Sequence, residues 1–162
     1  MKKLYLMRHA ESAWGTASLP DFERKLNRRG ERDVPYMGHF LQEQGVLLDA
    51  IFCSAAERAK ATAAGFLQKY AFNGEVHYKD ELYHASYETY LALLNTLPDS
   101  IEAAMIIAHN PALEDFLEAV CNVKVHISTA SVADIEFQIE QWNDLSVAAN
   151  GELLNLWKPR EI

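Results

Sequence analysis

Residues 103–108 of the chain are Ala-Ala-Met-Ile-Ile-Ala, an unbroken apolar run that is followed at once by His109. Two shorter runs have the same character: Leu4–Met7 near the N-terminus and Ala50–Cys53. Such runs are typical of strands that are covered on both faces, as in a parallel sheet. Because segments of helical period separate the runs, the sequence predicts an α/β fold.

The segments between the runs carry signals for the start of helices. Residues 54–57, Ser-Ala-Ala-Glu, have the pattern of a capping box, which predicts a helix from there to about Tyr70. Ser86 is predicted to cap the next helix. Asn110 is predicted to cap a third one, with Pro111 at its first position. These helices follow strands in alternation, as a parallel sheet requires.

The segment from 27 to 44 also has an apolar helical face, but it contains Pro35. A proline inside a helix removes one hydrogen bond and crowds the preceding turn, so it would break a helix that begins at Arg28. We expect either a helix capped by Asp33 or a kink at that point.

The pattern changes beyond Cys121. Residues 131–139 alternate loosely, and Asn150-Gly151 is a turn signal that precedes an apolar stretch over 152–157. We expect a C-terminal hairpin at the edge of the sheet. The predicted fold is therefore a single domain over 1–162: an α/β three-layer sandwich with a mostly parallel central sheet, helices on both faces and this edge hairpin.

Composition bounds the function. The 162 residues include 15 Lys and Arg against 23 Asp and Glu, which gives a net charge of −8 and argues against binding to nucleic acid or to an anionic membrane. The two cysteines, Cys53 and Cys121, have no zinc-ligand spacing, so we expect reduced thiols and no zinc site. We also expect no other metal and no cofactor. The apolar stretches are too short for a secretory signal or a membrane span. We expect a cytoplasmic protein.

Cations and imidazoles follow three of the predicted strands. Arg8 and His9 come after the first, Arg58 lies one turn into the helix after the second, and His109 follows the third. Because ligands collect at the carboxyl ends of parallel strands, these side chains are predicted to form one anion pocket. No carboxylate cluster or P-loop accompanies them, so the nucleophile is expected to be a protein side chain, for which histidine is suited.

Five stretches of the sequence resemble motifs of the histidine phosphatase superfamily, the phosphoglycerate mutase-like proteins. Residues 6–12, Leu-Met-Arg-His-Ala-Glu-Ser, resemble the RHG motif, with alanine in place of glycine. Residues 54–63 resemble the segment SPxxRAxQTA, and 106–113 resemble the GHNP segment. Residues 21–30 follow the spacing D..R.L...G of the SixA-like branch, and the stretch Glu-Leu-Tyr-His-Ala-Ser at 81–86 is similar to the LYxAS stretch of bacterial members. The resemblance covers about residues 1–120, with the motifs in order.

The resemblance implies a phosphatase that works through a phosphohistidine intermediate on His9. Arg8, Arg58 and His109 would bind the phosphate oxygens, with His109 protonated when phosphate is bound and His9 neutral at the attacking nitrogen. A hydrogen bond would fix the other nitrogen of His9, from a partner that the sequence does not identify. Gly15 stands where mutase-like members carry asparagine, which makes mutase activity on a phosphosugar less expected.

The general acid that oxygen esters require has three candidates, Glu81, His84 and Glu88. A phosphoramidate needs such an acid less, because the leaving imidazole nitrogen can be protonated before the P–N bond breaks. We therefore expect a phosphohistidine-containing protein as the phosphorylated substrate. A small-molecule phosphomonoesterase is the first alternative, and a non-catalytic phosphate-binding module is the second.

Overall fold

The computed structural model describes residues 1–15, 17–148 and 151–162. Within those ranges the chain forms six β-strands and four α-helices. The strands are β1 (Lys2–Arg8), β2 (Ala50–Ser54), β3 (Val76–Lys79), β4 (Ala103–Ala108), β5 (Val132–Phe137) and β6 (Glu152–Trp157). The helices are α1 (Arg28–Glu43), α2 (Glu57–Leu67), α3 (Tyr87–Asn95) and α4 (Ala112–Cys121). The three predicted apolar runs correspond to β1, β2 and β4.

All six strands belong to one sheet in the order β3-β2-β4-β1-β5-β6. Strands β3, β2, β4 and β1 are parallel, whereas β5 pairs antiparallel with β1 and β6 pairs antiparallel with β5. The mostly parallel sheet and the C-terminal edge hairpin are therefore confirmed. The turn predicted at Asn150-Gly151 lies in part outside the described residues.

Helices cover both faces of the sheet, which confirms the three-layer sandwich. Successive residues of β4 point to opposite sides, so Ile106 joins the core under α3 and α4, while Ile107 joins the core under α1 and α2. Both isoleucines are fully buried. No helix within the described ranges is long and apolar enough to cross a membrane.

The predicted starts of two helices were wrong. Helix α2 begins at Glu57 after Ala56, without a side-chain cap, and ends at Leu67 rather than near Tyr70. The Ser54 hydroxyl belongs to β2 and contacts a histidine instead of capping the helix. Helix α4 is preceded by Pro111 at the cap position, because the Asn110 amide donates to a distant backbone carbonyl. Ser86 does precede α3, but its hydroxyl makes no capping bond.

Helix α1 begins at Arg28 and continues through Pro35, so of the two alternatives the cap at Asp33 was wrong. Its cap is Asn27, whose side-chain oxygen accepts a hydrogen bond from the Gly30 amide at 2.9 Å. The helix tolerates the proline because it is capped and buries an apolar face that includes Met37. Capping and burial together outweigh the one hydrogen bond that the proline removes.

Candidate active site

The carboxyl ends of β1, β2 and β4 meet at one edge of the sheet, and the four predicted residues lie there. Arg8 ends β1 and His9 follows it, Arg58 lies in the first turn of α2 after β2, and His109 follows β4. All four line one cavity of about 750 Å³. The parallel topology thus brings together cations and imidazoles that are far apart in sequence.

His9 is fixed by the backbone of the residue that follows it. Its Nδ1–H donates to the Ala10 carbonyl at 2.8 Å, so Nε2 is the nitrogen with a free lone pair. The Ala10 amide in turn donates to Thr62 Oγ1 at 2.9 Å, and that hydroxyl donates to the Arg58 carbonyl at 2.7 Å. The partner that the sequence could not identify is therefore a backbone carbonyl, held in place from α2.

The electrostatic surroundings keep His9 neutral. The side chain is only 7% exposed, and burial lowers the pKa of His9 to about 4. The positive charges of Arg58 and Arg8 lower the pKa in the same direction. At neutral pH the imidazole therefore carries a lone pair that can attack an electrophile.

His109 lies beside His9, with ring centroids 5.1 Å apart. Its Nε2 is 2.8 Å from the Ser54 hydroxyl, which also accepts a hydrogen bond from the Ala56 amide at 3.3 Å. In the tautomer in which the Ser54 hydroxyl donates to Nε2, the imidazole proton lies on Nδ1. That Nδ1 is buried and has no hydrogen-bond partner among the described residues.

The two arginines are oriented by backbone oxygens. Arg8 donates from Nη1 to the Ile127 carbonyl at 3.1 Å, and Arg58 donates from Nη1 to the Asp21 carbonyl at 2.7 Å. The Nε of each arginine is buried without a partner in the described part of the chain. Together with His109 Nδ1, three buried donors have unused hydrogen-bonding capacity in one site, which is the arrangement that binds an oxyanion.

Asp21 holds Arg58 in place, and only the D..R spacing in the sequence pointed to it. Its Oδ2 accepts from Arg58 Nη2 at 3.0 Å and from the Tyr83 hydroxyl, and its Oδ1 lies 3.0 Å from Arg24 Nε. The hydrogen bond from Tyr83 is the main cause that lowers the pKa of Asp21 to about 2, and the hydrogen bond from Arg58 acts in the same direction. The carboxyl group is therefore ionised and has no proton to donate.

The three candidates for a general acid lie in different surroundings. Glu81 and Glu88 are exposed and line neither the catalytic cavity nor the smaller one next to it. His84 lines that smaller cavity, of about 250 Å³, which Arg58 and His109 also border. Within the described residues, no group of three metal-ligating side chains is placed to hold a metal ion.

Anion binding should couple to protonation of His109. Burial is the main cause that lowers the pKa of His109 to about 3, and the neighbouring His9 is the second cause. The imidazole is therefore neutral in the free protein. A bound dianion favours the charged imidazole and raises that pKa, so binding takes up a proton. We expect sulfate, which stays a dianion throughout, to bind more tightly as pH falls below the pKa that His109 has in the complex, by up to about tenfold per pH unit.

Calorimetric titration with sulfate checks this coupling. The matched variant His109→Gln keeps an amide donor but cannot be protonated, so its sulfate affinity should vary little with pH. A pH dependence that persists in His109→Gln would show that another group takes up the proton.

Comparisons with known proteins agree with this geometry. The sequence model of the histidine phosphatase superfamily (branch 1) matches residues 4–95. A protein of Mycobacterium leprae of uncharacterised function is 25% identical over 93% of this chain and 92% of its own.

Two solved structures are also similar over nearly the whole chain. A chain from Agrobacterium tumefaciens assigned as a phosphohistidine phosphatase SixA is 25% identical, with a TM-score of 0.81 over 98% of this chain and 99% of that one. The protein histidine phosphatase SixA complexed with tungstate is 20% identical, with a TM-score of 0.83 over 98% of this chain and 97% of that one. The chain therefore belongs to branch 1 of the histidine phosphatase superfamily and is a phosphatase with a SixA-like fold.

Proposed function

We propose that the protein hydrolyses phosphohistidine on a partner protein, through a covalent intermediate on His9 and without a metal ion. One observation carries the proposal: a neutral histidine with a fixed Nδ1–H lies among three buried N–H donors that have no partner in the described residues. The unpaired thiols of Cys53 and Cys121 fit a reducing compartment, and we place the activity in the cytoplasm.

In the first step, His9 Nε2 attacks phosphorus while the P–N bond to the substrate imidazole breaks. The leaving nitrogen departs with a proton taken up from solvent, so the free histidine of the partner is neutral. The Nδ1–H of His9 stays bonded to the Ala10 carbonyl, which stabilises the positive charge that develops on the ring. In the second step, water attacks phosphorus, the bond to Nε2 breaks, and inorganic phosphate leaves.

Three donors act on the oxygens of the transferring phosphoryl group. The side chains of Arg8, Arg58 and His109 are already oriented by contacts with Ile127, Asp21 and Ser54 respectively, so their N–H groups are preorganised for the reaction. Preorganised donors of this kind stabilise charge in the transition state more than solvent water does. Because these groups supply the electrostatic stabilisation, the mechanism needs no divalent cation.

The proposed substrate is a phosphoramidate because the site offers little acid for an alkoxide leaving group. Asp21 is ionised beside Arg58, and Glu81 and Glu88 lie outside both cavities. The solved relatives described as SixA phosphohistidine phosphatases favour the same substrate class. His84 is the one observation that favours the alternative, a small-molecule phosphomonoesterase, because it borders the cavity next to Arg58 and His109.

A side-by-side assay tests the substrate class. Phosphate release from a protein phosphorylated on histidine and from p-nitrophenyl phosphate would be followed with and without a chelator. We expect fast release from the phosphoprotein, little from the ester, and no effect of the chelator. Faster hydrolysis of the ester, reduced in His84→Gln, would establish the phosphomonoesterase instead.

A further inference from the structure

Trp14 is the most exposed large apolar side chain in the described part of the chain, with 92% of its surface accessible. It lines the mouth of the catalytic cavity, together with Ser12 and Ala13. We call residues 12–14 the rim. Single exposed apolar residues are common on proteins, so the exposure alone indicates nothing. What calls for an explanation is that this one lines the same cavity as His9.

The rim is held in place by the backbone. The Ala13 amide donates to the Lys25 carbonyl at 2.8 Å, and Ser12 forms an antiparallel bridge with Leu26. Trp14 is therefore attached to an anchored segment, and its ring lies over the Arg24 guanidinium at 5.8 Å. An aromatic side chain that is already oriented loses less conformational entropy when a partner contacts it.

The fold gains little from this indole. A side chain that keeps 92% of its surface in water contributes little hydrophobic stabilisation. Its contact partner, Arg24, already has an ion pair with Asp21. Tryptophan and arginine are, however, among the residues that are enriched where binding energy concentrates in protein interfaces.

We propose that Trp14 is the contact point for the protein that carries the phosphorylated histidine, and that it packs on apolar side chains bordering that residue. This inference rests on the proposed function. His9 and Arg58 are only 7% and 6% exposed, so the phosphoryl group must enter the cavity on a side chain. The surface of the carrier protein then meets the rim, where Trp14 is exposed. A small phosphoramidate has no protein surface that could pack on Trp14.

The test compares two substrates in the full-length protein. One is a small helical protein phosphorylated chemically on one exposed histidine, and the other is the phosphoramidate ion. In Trp14→Ala we expect the ratio of kcat/KM for the phosphoprotein to kcat/KM for phosphoramidate to fall about tenfold or more, mainly through KM. Trp14→Phe, which keeps an aromatic ring, should recover most of that ratio.

Leu47→Ala is the matched control, because Leu47 is 79% exposed and lies in the loop before β2, at the amino end of a strand whose carboxyl end faces the site. Its ratio should equal that of the wild type. An unchanged ratio in Trp14→Ala, with the phosphoprotein still hydrolysed, would overturn this inference and leave the proposed function standing. A wild-type protein that hydrolyses phosphoramidate but not the phosphoprotein would overturn both.

Discussion

Replacement of His9 with alanine should reduce phosphate release by about 10⁴-fold or more, because it removes the nucleophile. The oxyanion donors remain in that variant. Arg8 and Arg58 keep their carbonyl partners, and His109 keeps its contact with Ser54. His9→Ala should therefore still bind inorganic phosphate, which separates loss of the nucleophile from loss of the fold.

The intermediate itself can be trapped. When the wild-type phosphatase is quenched during turnover of a substrate with labelled phosphate, label should be found on the phosphatase itself. That label should be stable in alkali and labile in acid, as expected for a phosphoramidate. His9→Ala should retain none. The matched control is His39→Ala, which removes an exposed histidine of α1 that lies away from the cavity. Full activity in His9→Ala would rule out the covalent mechanism.

Burial explains which of the parallel strands the sequence predicted. Every residue of β4 is buried, so the strand appears as an apolar run with the same bounds in the sequence and in the structure. Strand β3 lies at the edge of the sheet and has no buried residue, so no apolar run marks it. Helix starts were harder to predict, because Ser54 and Asn110 form long-range hydrogen bonds that compete with capping.

The site was predictable to the extent that it depends on side-chain type at strand ends. Arginine and histidine after three apolar runs were enough to place the pocket at one edge of the sheet. The groups that orient them were not predictable, because the carbonyl oxygens of Ala10, Ile127 and Asp21 exist at every residue and have no sequence signature. The hydrogen bond between Tyr83 and Asp21 joins residues 62 positions apart, and only the fold reveals it.

Replacement of Arg58 with alanine should lower kcat/KM by about 10²-fold or more, because it removes both a buried positive charge and one of the three unused donors. Arg58→Lys should recover little of this loss. An ammonium group could not donate to the backbone carbonyl and to Oδ2 of Asp21 and also reach the phosphoryl group in the geometry of a planar guanidinium. Steady-state kinetics on the phosphohistidine protein measures both variants.

The control for this prediction comes from the same helix. Lys60 lies two residues further along α2, with its ammonium over the exposed Tyr78 ring, so Lys60→Ala removes an equal charge outside the cavity. Its kcat/KM should stay within about twofold of the wild type. In Arg58→Ala, Asp21 keeps its contacts with Tyr83 and Arg24, so its carboxylate remains paired and the fold should persist. If Arg58→Ala folds and loses less than tenfold in kcat/KM, Arg58 does not stabilise the transition state, and Arg8 and His109 must carry that charge without it.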